Sequence, residues 1–95
     1  MAEELANIRL LENINKKLNE IYFQLEIIKC DNELLPTEKL YYIDKYKNKK
    51  YILVIPQICL LNTSNILLNQ RIKYMNIVIS RLQVYGINVT IKVTN

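Results

Sequence analysis

The stretch that decides the fold runs from residue 51 to residue 94 and reads YILVIPQICLLNTSNILLNQRIKYMNIVISRLQVYGINVTIKVT. It begins with five apolar residues of β-forming type, continues with helical periodicity, and ends in alternating apolar and polar residues. Two strands joined by a helix pair in parallel through a right-handed crossover. We therefore expect a β-α-β unit, with strands at residues 51–55 and 87–94 and a helix at residues 63–85.

The expected helix of this unit has clear ends and two apolar faces. Residues 62–64, Asn-Thr-Ser, suit the N-cap, and Gly86, the only glycine, suits the left-handed position after the last turn. Such a helix is usually packed on both sides, here against the sheet and against the N-terminal helix or a partner chain. The main apolar line contains Leu68, Ile72, Met75, Ile79 and Leu82, and the second line contains Ile66, Ile77 and Val84.

Residues 3–30 predict one long amphipathic helix with an apolar seam at 3-4 spacing. Such a helix would span about 42 Å, so it kinks, crosses the whole domain, or projects from it. The seam fits a homodimer interface, in which a buried Asn15 fixes the register, or it packs within the chain. For Asn15 the sequence leaves these two readings even, with Asn15 exposed in the second one, and for the chain as a whole we favour a homodimer built partly from this helix. The seam residues are Ile8, Leu11, Asn15, Leu18, Tyr22 and Leu25.

The segment between these two parts predicts a β-hairpin. Leu40 to Tyr46 is rich in Tyr and Ile, which favour strands, and residues 47–50, Lys-Asn-Lys-Lys, provide the turn. Residues 51–61 are apolar on both faces, as in a central strand, although Pro56 ends the regular part of that strand. The expected fold is a single α+β domain over residues 1–95, in the order α-β-β-α-β, with a small mixed sheet.

Charge divides the chain into two unequal parts. Residues 1–38 contain eight acidic and four basic residues, whereas residues 39–95 contain nine basic residues and one acid, Asp44. The chain contains no histidine, so the basic part has few groups with which to transfer protons. This pattern favours a binding protein over an enzyme, and it predicts neither a cofactor nor a metal site.

The basic residues around the expected turn are the main candidate site. Lys45, Lys47, Lys49 and Lys50 alternate with tyrosines that include Tyr46 and Tyr51. Ammonium groups beside aromatic rings suit phosphate contacts and base stacking, and Arg71 and Lys73 extend the same surface if they share its face. The alternative is a solvated hairpin whose lysines protect a sheet edge from aggregation.

Asp44 invites a comparison with one enzyme fold. The expected strand–strand–helix–strand order is similar to the restriction-endonuclease-like nuclease core, which places an acidic residue about a dozen positions before an acid-x-lysine motif. In this chain the matching span is Ile55-Pro56-Gln57, which lacks both the acid and the lysine. The similarity in order therefore implies no metal-dependent nuclease activity here.

Residue usage also bears on where the protein acts. Cys30 and Cys59 are isolated in apolar surroundings, so we expect both to be reduced and buried. The N-terminus is acidic where a signal peptide is basic, and the longest apolar run is too short to span a membrane. We expect a cytoplasmic protein that does not bind membranes. The abundant Ile, Asn, Lys and Tyr have AT-rich codons, which suits a viral or mobile-element gene.

Two functions are compatible with these features. The first is a homodimeric nucleic-acid-binding accessory protein that uses the basic Lys/Tyr hairpin with little sequence preference. The second is a protein-interaction module that uses the N-terminal helix seam, such as a virus- or plasmid-encoded inhibitor, adaptor or assembly subunit.

Overall fold

The computed structural model describes residues 2–61 and 64–95, with side chains from residue 4 onward. Helices and strands are both present, which confirms the α+β class, but the order is α-α-β-α-β. The elements are α1 (Ala2–Cys30), α2 (Pro36–Lys47), β1 (Tyr51–Pro56), a 3-10 turn (Gln57–Leu60), α3 (Ile66–Val84) and β2 (Val89–Thr94).

The expected hairpin is wrong, because residues 36–47 form a helix. Pro36 occupies the first helical position, where its fixed φ suits the helix and its missing N–H loses no bond. The Glu38 carboxylate accepts a hydrogen bond from the Leu35 N–H at 3.0 Å, as in half of a capping box. Ile43 and Tyr46, one helical turn apart, pack against the core. This packing, added to the helix start signals, outweighs the β propensity of the Tyr and Ile residues.

Within residues 2–61 and 64–95, the sheet contains two strands, β1 and β2, which are parallel. Tyr51 pairs with Val89, and the register continues to Pro56 and Thr94. The parallel β-α-β unit is therefore confirmed, as is the end of the strand at Pro56. The expected mixed sheet with β1 at its centre is wrong, because residues 40–46, which were expected to form the third strand, belong to the helix α2.

Helix α3 begins later than expected and ends where expected. Its N-cap is Asn65, whose side chain accepts from the Leu68 N–H at 3.0 Å, while Asn62 and Thr63 lie outside the described residues. Gly86 has a φ of 78°. The N–H of Ile87 donates to the Leu82 carbonyl at 3.1 Å, which forms a Schellman-type end. Ile87 is buried in this cap, so β2 begins at Val89 and not at residue 87.

Helix α1 crosses the whole molecule, which measures 50 × 21 × 18 Å. It runs parallel to α3: the Asn65 amide donates to Glu4 near the start of both helices, and the Tyr85 hydroxyl donates to Glu26 near their ends. The core lies mainly between these two helices and the inner face of the sheet. Its buried apolar residues are Ile8, Leu11, Ile14, Leu18, Leu25, Ile55, Cys59, Leu68, Met75, Val78, Leu82 and Ile87.

This elongated shape leaves many large apolar side chains exposed. The radius of gyration is 15.5 Å, against about 12 Å for a compact chain of this length. The second apolar line of α3, formed by Ile66, Ile77 and Val84, faces outward. The expectation that α3 is packed on both sides is therefore wrong for the single chain: its main apolar line is covered, and its second line is not.

Candidate nucleic-acid interface

The lysines at the end of α2 and just after it converge on one cleft. The last turn of α2 and the three residues after it carry these lysines to the end of the sheet where both parallel strands begin. The cleft has a volume of about 410 Å³, and we call it the lysine cleft. It is lined by Lys47, Lys49, Lys50, Tyr51, Ile52, Asn88 and Thr90.

Positive charge dominates the lysine cleft. The nearest acid in sequence, Asp44, is half exposed and lies 3.9 Å from the Lys47 ammonium. An exposed ion pair at that distance neutralises little of the lysine's charge, because water screens it. Lys49 and Lys50 have no ion pair among the described residues. The cleft can therefore attract an anion such as a phosphate group.

Tyr46 and Tyr51 support this cleft in different ways. The Lys49 ammonium lies 5.5 Å from the centre of the Tyr46 ring, within the range of a cation–π contact. The Tyr51 hydroxyl is buried and has no hydrogen-bond partner among the described residues. Burial, followed by the proximity of Tyr46, raises the pKa of Tyr51 above its ordinary value. Tyr51 therefore stays a neutral phenol at physiological pH.

A second cluster lies on the exposed side of α2. The Lys45 ammonium lies 4.6 Å from the centre of the Tyr41 ring and 5.5 Å from that of Tyr42. The two rings are also 5.5 Å apart, in an edge-to-face arrangement. Both tyrosines are exposed, so their free faces are available to stack on a planar group. Lys45 belongs to this cluster and does not line the lysine cleft.

The structure does not bring Arg71 and Lys73 to the lysine cleft. Arg71 lies in the second turn of α3, thirteen residues before the last residue, Val84, which corresponds to roughly 20 Å along the helix axis. Its guanidinium is 3.3 Å from the Glu12 carboxylate of α1. Lys73 is exposed two residues later on the same helix. Arg71 and Lys73 therefore do not extend the positive surface of the lysine cleft.

The seam of α1 is covered within the chain. Its buried residues, Ile8, Leu11, Asn15, Leu18 and Leu25, belong to the core between α1, α3 and the sheet, and Tyr22 is partly buried against that core. The Asn15 Nδ2 donates to the Arg71 carbonyl of α3 at 3.2 Å. Within the single chain the seam packs intramolecularly, as in the second reading, but Asn15 is buried and not exposed. In this arrangement the seam offers no open surface to a second copy.

The sequence analysis did not predict that Asn88 and Thr90 belong to the candidate site. Both have short polar side chains in or beside a strand of alternating polarity, and this pattern indicates only that they face solvent. The β-α-β pairing brings them next to the start of β1, because Tyr51 pairs with Val89. The expected parallel pairing already implies this proximity, whereas the expected hairpin places residues 40–46, and not β2, beside the lysines.

A pair of titrating groups lies away from this surface, at the ends of α1 and α3. The Tyr85 hydroxyl donates to the Glu26 carboxylate. This bond is the main cause that lowers the pKa of Glu26. Burial, followed by the same bond, raises the pKa of Tyr85 well above its ordinary value. Both shifts hold the pair as carboxylate and phenol, so the contact is structural at neutral pH.

The two cysteines differ in environment. Both are free, Cys59 is buried, and Cys30 is exposed, so the expectation that Cys30 is buried is wrong. Burial raises the pKa of the Cys59 thiol, which makes it less reactive.

Among the described residues, no group of three or more His, Cys, Asp or Glu side chains could hold a metal ion. No described helix is both long and apolar enough to cross a membrane.

Comparison of this chain with protein-family models, with curated proteins and with solved structures finds no match.

Proposed function

We propose that the protein is a non-enzymatic nucleic-acid-binding accessory protein that contacts the phosphate backbone through the lysine cleft. The observation that carries this proposal is the convergence of Lys47, Lys49 and Lys50 on one cleft with the polar side chains of Asn88 and Thr90. Ammonium groups neutralise phosphates, while amide and hydroxyl groups donate hydrogen bonds to phosphate oxygens.

The chemistry of the cleft predicts affinity with little sequence preference. Three lysines displace about three counterions from the phosphates, so the slope of log affinity against log salt is about −3 for duplex and about −2 for single strands. The lining of the cleft offers no arginine for bidentate contact with guanine. Binding should therefore depend on charge more than on base sequence.

The tyrosine pair on α2 favours a single-stranded ligand. Tyr41 and Tyr42 are exposed beside Lys45, and exposed rings next to a cation stack on unpaired bases. Lys45 and Lys47 lie in the last turn of the same helix but on different faces of it, so a strand whose phosphates occupy the lysine cleft reaches these rings by passing around the end of α2. We expect tighter binding to single strands than to duplexes of equal length at low salt.

We also propose that the protein acts as a homodimer in the cytoplasm. The large apolar side chains left exposed by the single chain support self-association. The exposed free thiol of Cys30 suits a reducing compartment. Two copies would carry two lysine clefts, which would strengthen binding to one strand.

The function is tested with two variants of equal charge. The triple variant Lys47→Gln/Lys49→Gln/Lys50→Gln removes the charge of the cleft. The control Lys16→Gln/Lys17→Gln/Lys29→Gln removes the same charge from exposed positions of α1. Fluorescence anisotropy with labelled single-stranded DNA and RNA at low salt should show at least a tenfold loss for the cleft variant and less than a threefold loss for the control. Equal losses in the two variants would overturn the proposal.

A second function, a protein-interaction module, is favoured by a different observation. Ile66, Ile77 and Val84 form an exposed apolar line along α3, and such a line suits a partner's apolar groove. The seam of α1, the surface first considered for this function, is already covered. This candidate predicts that the protein does not bind nucleic acid at low salt and that it forms a complex with a partner protein. The double variant Ile77→Lys/Val84→Lys should abolish that complex, and the lysine-cleft variant should leave it intact.

A further inference from the structure

The outer face of the sheet begins inside the lysine cleft. Tyr51 and Leu53 of β1 pack against the core, and side chains alternate between the two faces of a strand. Ile52 and Val54 therefore point outward, where they are 57% and 51% exposed. Ile52 lines the lysine cleft together with Thr90, its partner in the parallel pair. The outer face of the sheet is thus a continuation of the cleft.

A fourth lysine lies on this face, one row of side chains beyond the cleft. Val54 of β1 pairs with Lys92 of β2, two residues along the strands from the pair that lines the cleft. Two residues of a parallel strand correspond to about 7 Å. Lys92 is exposed and has no ion pair among the described residues. We call this surface, formed by Ile52, Val54, Thr90 and Lys92, the outer sheet face.

The charge of the outer sheet face restricts what can cover it. Residues 45–95, which include both strands, contain no Asp or Glu, and no acidic residue lines the lysine cleft. Covering an unpaired ammonium with an apolar surface costs free energy. An occupant that covers Val54 must therefore also bring negative charge to Lys92. A purely apolar surface does not meet this requirement.

We propose that a single-stranded nucleic acid leaves the lysine cleft across the outer sheet face, with bases or sugars over Ile52 and Val54 and a phosphate against the Lys92 ammonium. An unpaired strand joins anionic phosphates to exposed base surfaces, and bases pack on apolar as well as aromatic side chains. A duplex keeps its bases stacked inside, so it cannot cover the two aliphatic side chains in this way. The face therefore favours single strands.

This inference rests on the proposed function and extends it by one contact residue and one surface. An acidic peptide would share the negative charge of the strand. The nucleic acid is favoured because the outer sheet face continues the cleft, where amide and hydroxyl groups lie beside the lysines, as phosphate oxygens require. The strand would then contact the cleft and the sheet together.

The first test removes the charge of Lys92. Lys92→Gln and the control Lys73→Gln each remove one exposed charge, and the control lies on α3, outside the cleft. Anisotropy with a labelled single strand measures the affinity at several salt concentrations. Lys92→Gln should weaken binding about threefold at low salt and make the slope of log affinity against log salt shallower by about 0.7. The control should change neither quantity.

The second test observes the apolar contact. The NMR methyl signals of Val54 are followed while the single strand, or a duplex of the same sequence, is added. Val84 on α3 is the control, because it is also exposed and lies outside both surfaces. We expect the Val54 methyl signals to shift with the single strand and much less with the duplex, and the Val84 signals to stay in place with both.

The outcomes separate this inference from the function on which it rests. If the triple lysine-cleft variant loses binding but Lys92→Gln keeps the wild-type slope and the Val54 signals do not move, the inference is overturned and the proposed function stands. Lys92 would then only protect a sheet edge. If the wild type binds no strand at low salt, both are overturned. Val54 signals that move with poly-glutamate and not with the single strand would also overturn the inference, in favour of an acidic protein partner.

Discussion

The side chain of Asn15 on α1 donates a hydrogen bond to the backbone carbonyl of Arg71 on α3 at 3.2 Å. The Asn15 amide is buried, and its Oδ1 has no partner among the described residues. The Arg71 carbonyl lies inside a helix, where it also accepts the helical bond from the residue four positions later. The contact therefore joins the two long helices while leaving one buried acceptor unsatisfied.

The first prediction concerns this buried amide. Asn15→Leu removes the unsatisfied Oδ1 and adds apolar packing, so the free energy of unfolding should rise by about 1 kcal/mol. Urea unfolding measures it, and the exposed Asn13→Leu is the control, with no expected gain. The dimer mass should not change, because the seam packs within the chain. If Asn15→Leu lowered the free energy of unfolding and also changed the mass of the protein in solution, the seam would be an interface between two copies.

The second prediction concerns the turn that connects α3 to β2. Gly86 has a left-handed φ of 78°, and a Cβ there would lie 2.9 Å from the Cε of Lys47. The lysine tip can move, but the backbone angle remains unfavourable for other residues. Gly86→Ala should therefore lower stability by about 1–2 kcal/mol, and Gly86→Asn by less, because Asn tolerates this region better. If thermal unfolding showed equal losses of stability for Gly86→Ala and Gly86→Asn, the left-handed backbone angle would not be the cause.

The third prediction concerns pH. The pKa of Glu26 is lowered from its ordinary 4.5 chiefly by the Tyr85 hydroxyl. A lowered folded-state pKa stabilises the protein above pH 4.5, and this contribution is lost as the pH falls through the folded value. Tyr85→Phe should raise the pKa of Glu26 in an NMR titration and weaken the fall in stability on acidification. In the control Tyr74→Phe, which removes the hydroxyl bonded to Asn19, the Glu26 pKa should stay low.

Alkaline pH acts on the same contact from the other side. The pKa of Tyr85 is raised from its ordinary 10.0, so its contribution is present below pH 10.0 and is lost as the pH rises toward the folded value. The wild type should therefore lose stability above pH 10, and Tyr85→Phe should lose less. A variant with the same alkaline profile as the wild type would show that this hydroxyl is not responsible.

The sequence predicted the elements whose signals are local and consistent with each other. The 3-4 spacing of α1, the single glycine at the end of α3 and the alternation in β2 each have one physical reading, and all three elements are present. Residues 40–46 carried two conflicting signals, β-forming Tyr and Ile against the helix start at Leu35, Pro36 and Glu38. Only the packing of Ile43 and Tyr46 against the core decides between them, and that packing is a tertiary property.

The candidate site was predicted in part for the same reason. Lys47, Lys49 and Lys50 form a cluster however residues 40–46 fold, since they are close in sequence, and they share one cleft. Asn88 and Thr90 join them through strand pairing, and Arg71 is held elsewhere by Glu12 through helix pairing. Neither relationship is encoded by sequence proximity.

The most direct test of the central claim is the salt dependence of nucleic-acid binding. The affinity of the wild type for a labelled single strand and a labelled duplex should be measured by anisotropy at several salt concentrations. The account predicts log-linear weakening, with a slope of about −2 for the single strand and about −3 for the duplex per lysine cleft engaged. No binding at low salt, or an affinity that does not change with salt, would contradict phosphate recognition by the lysine cleft.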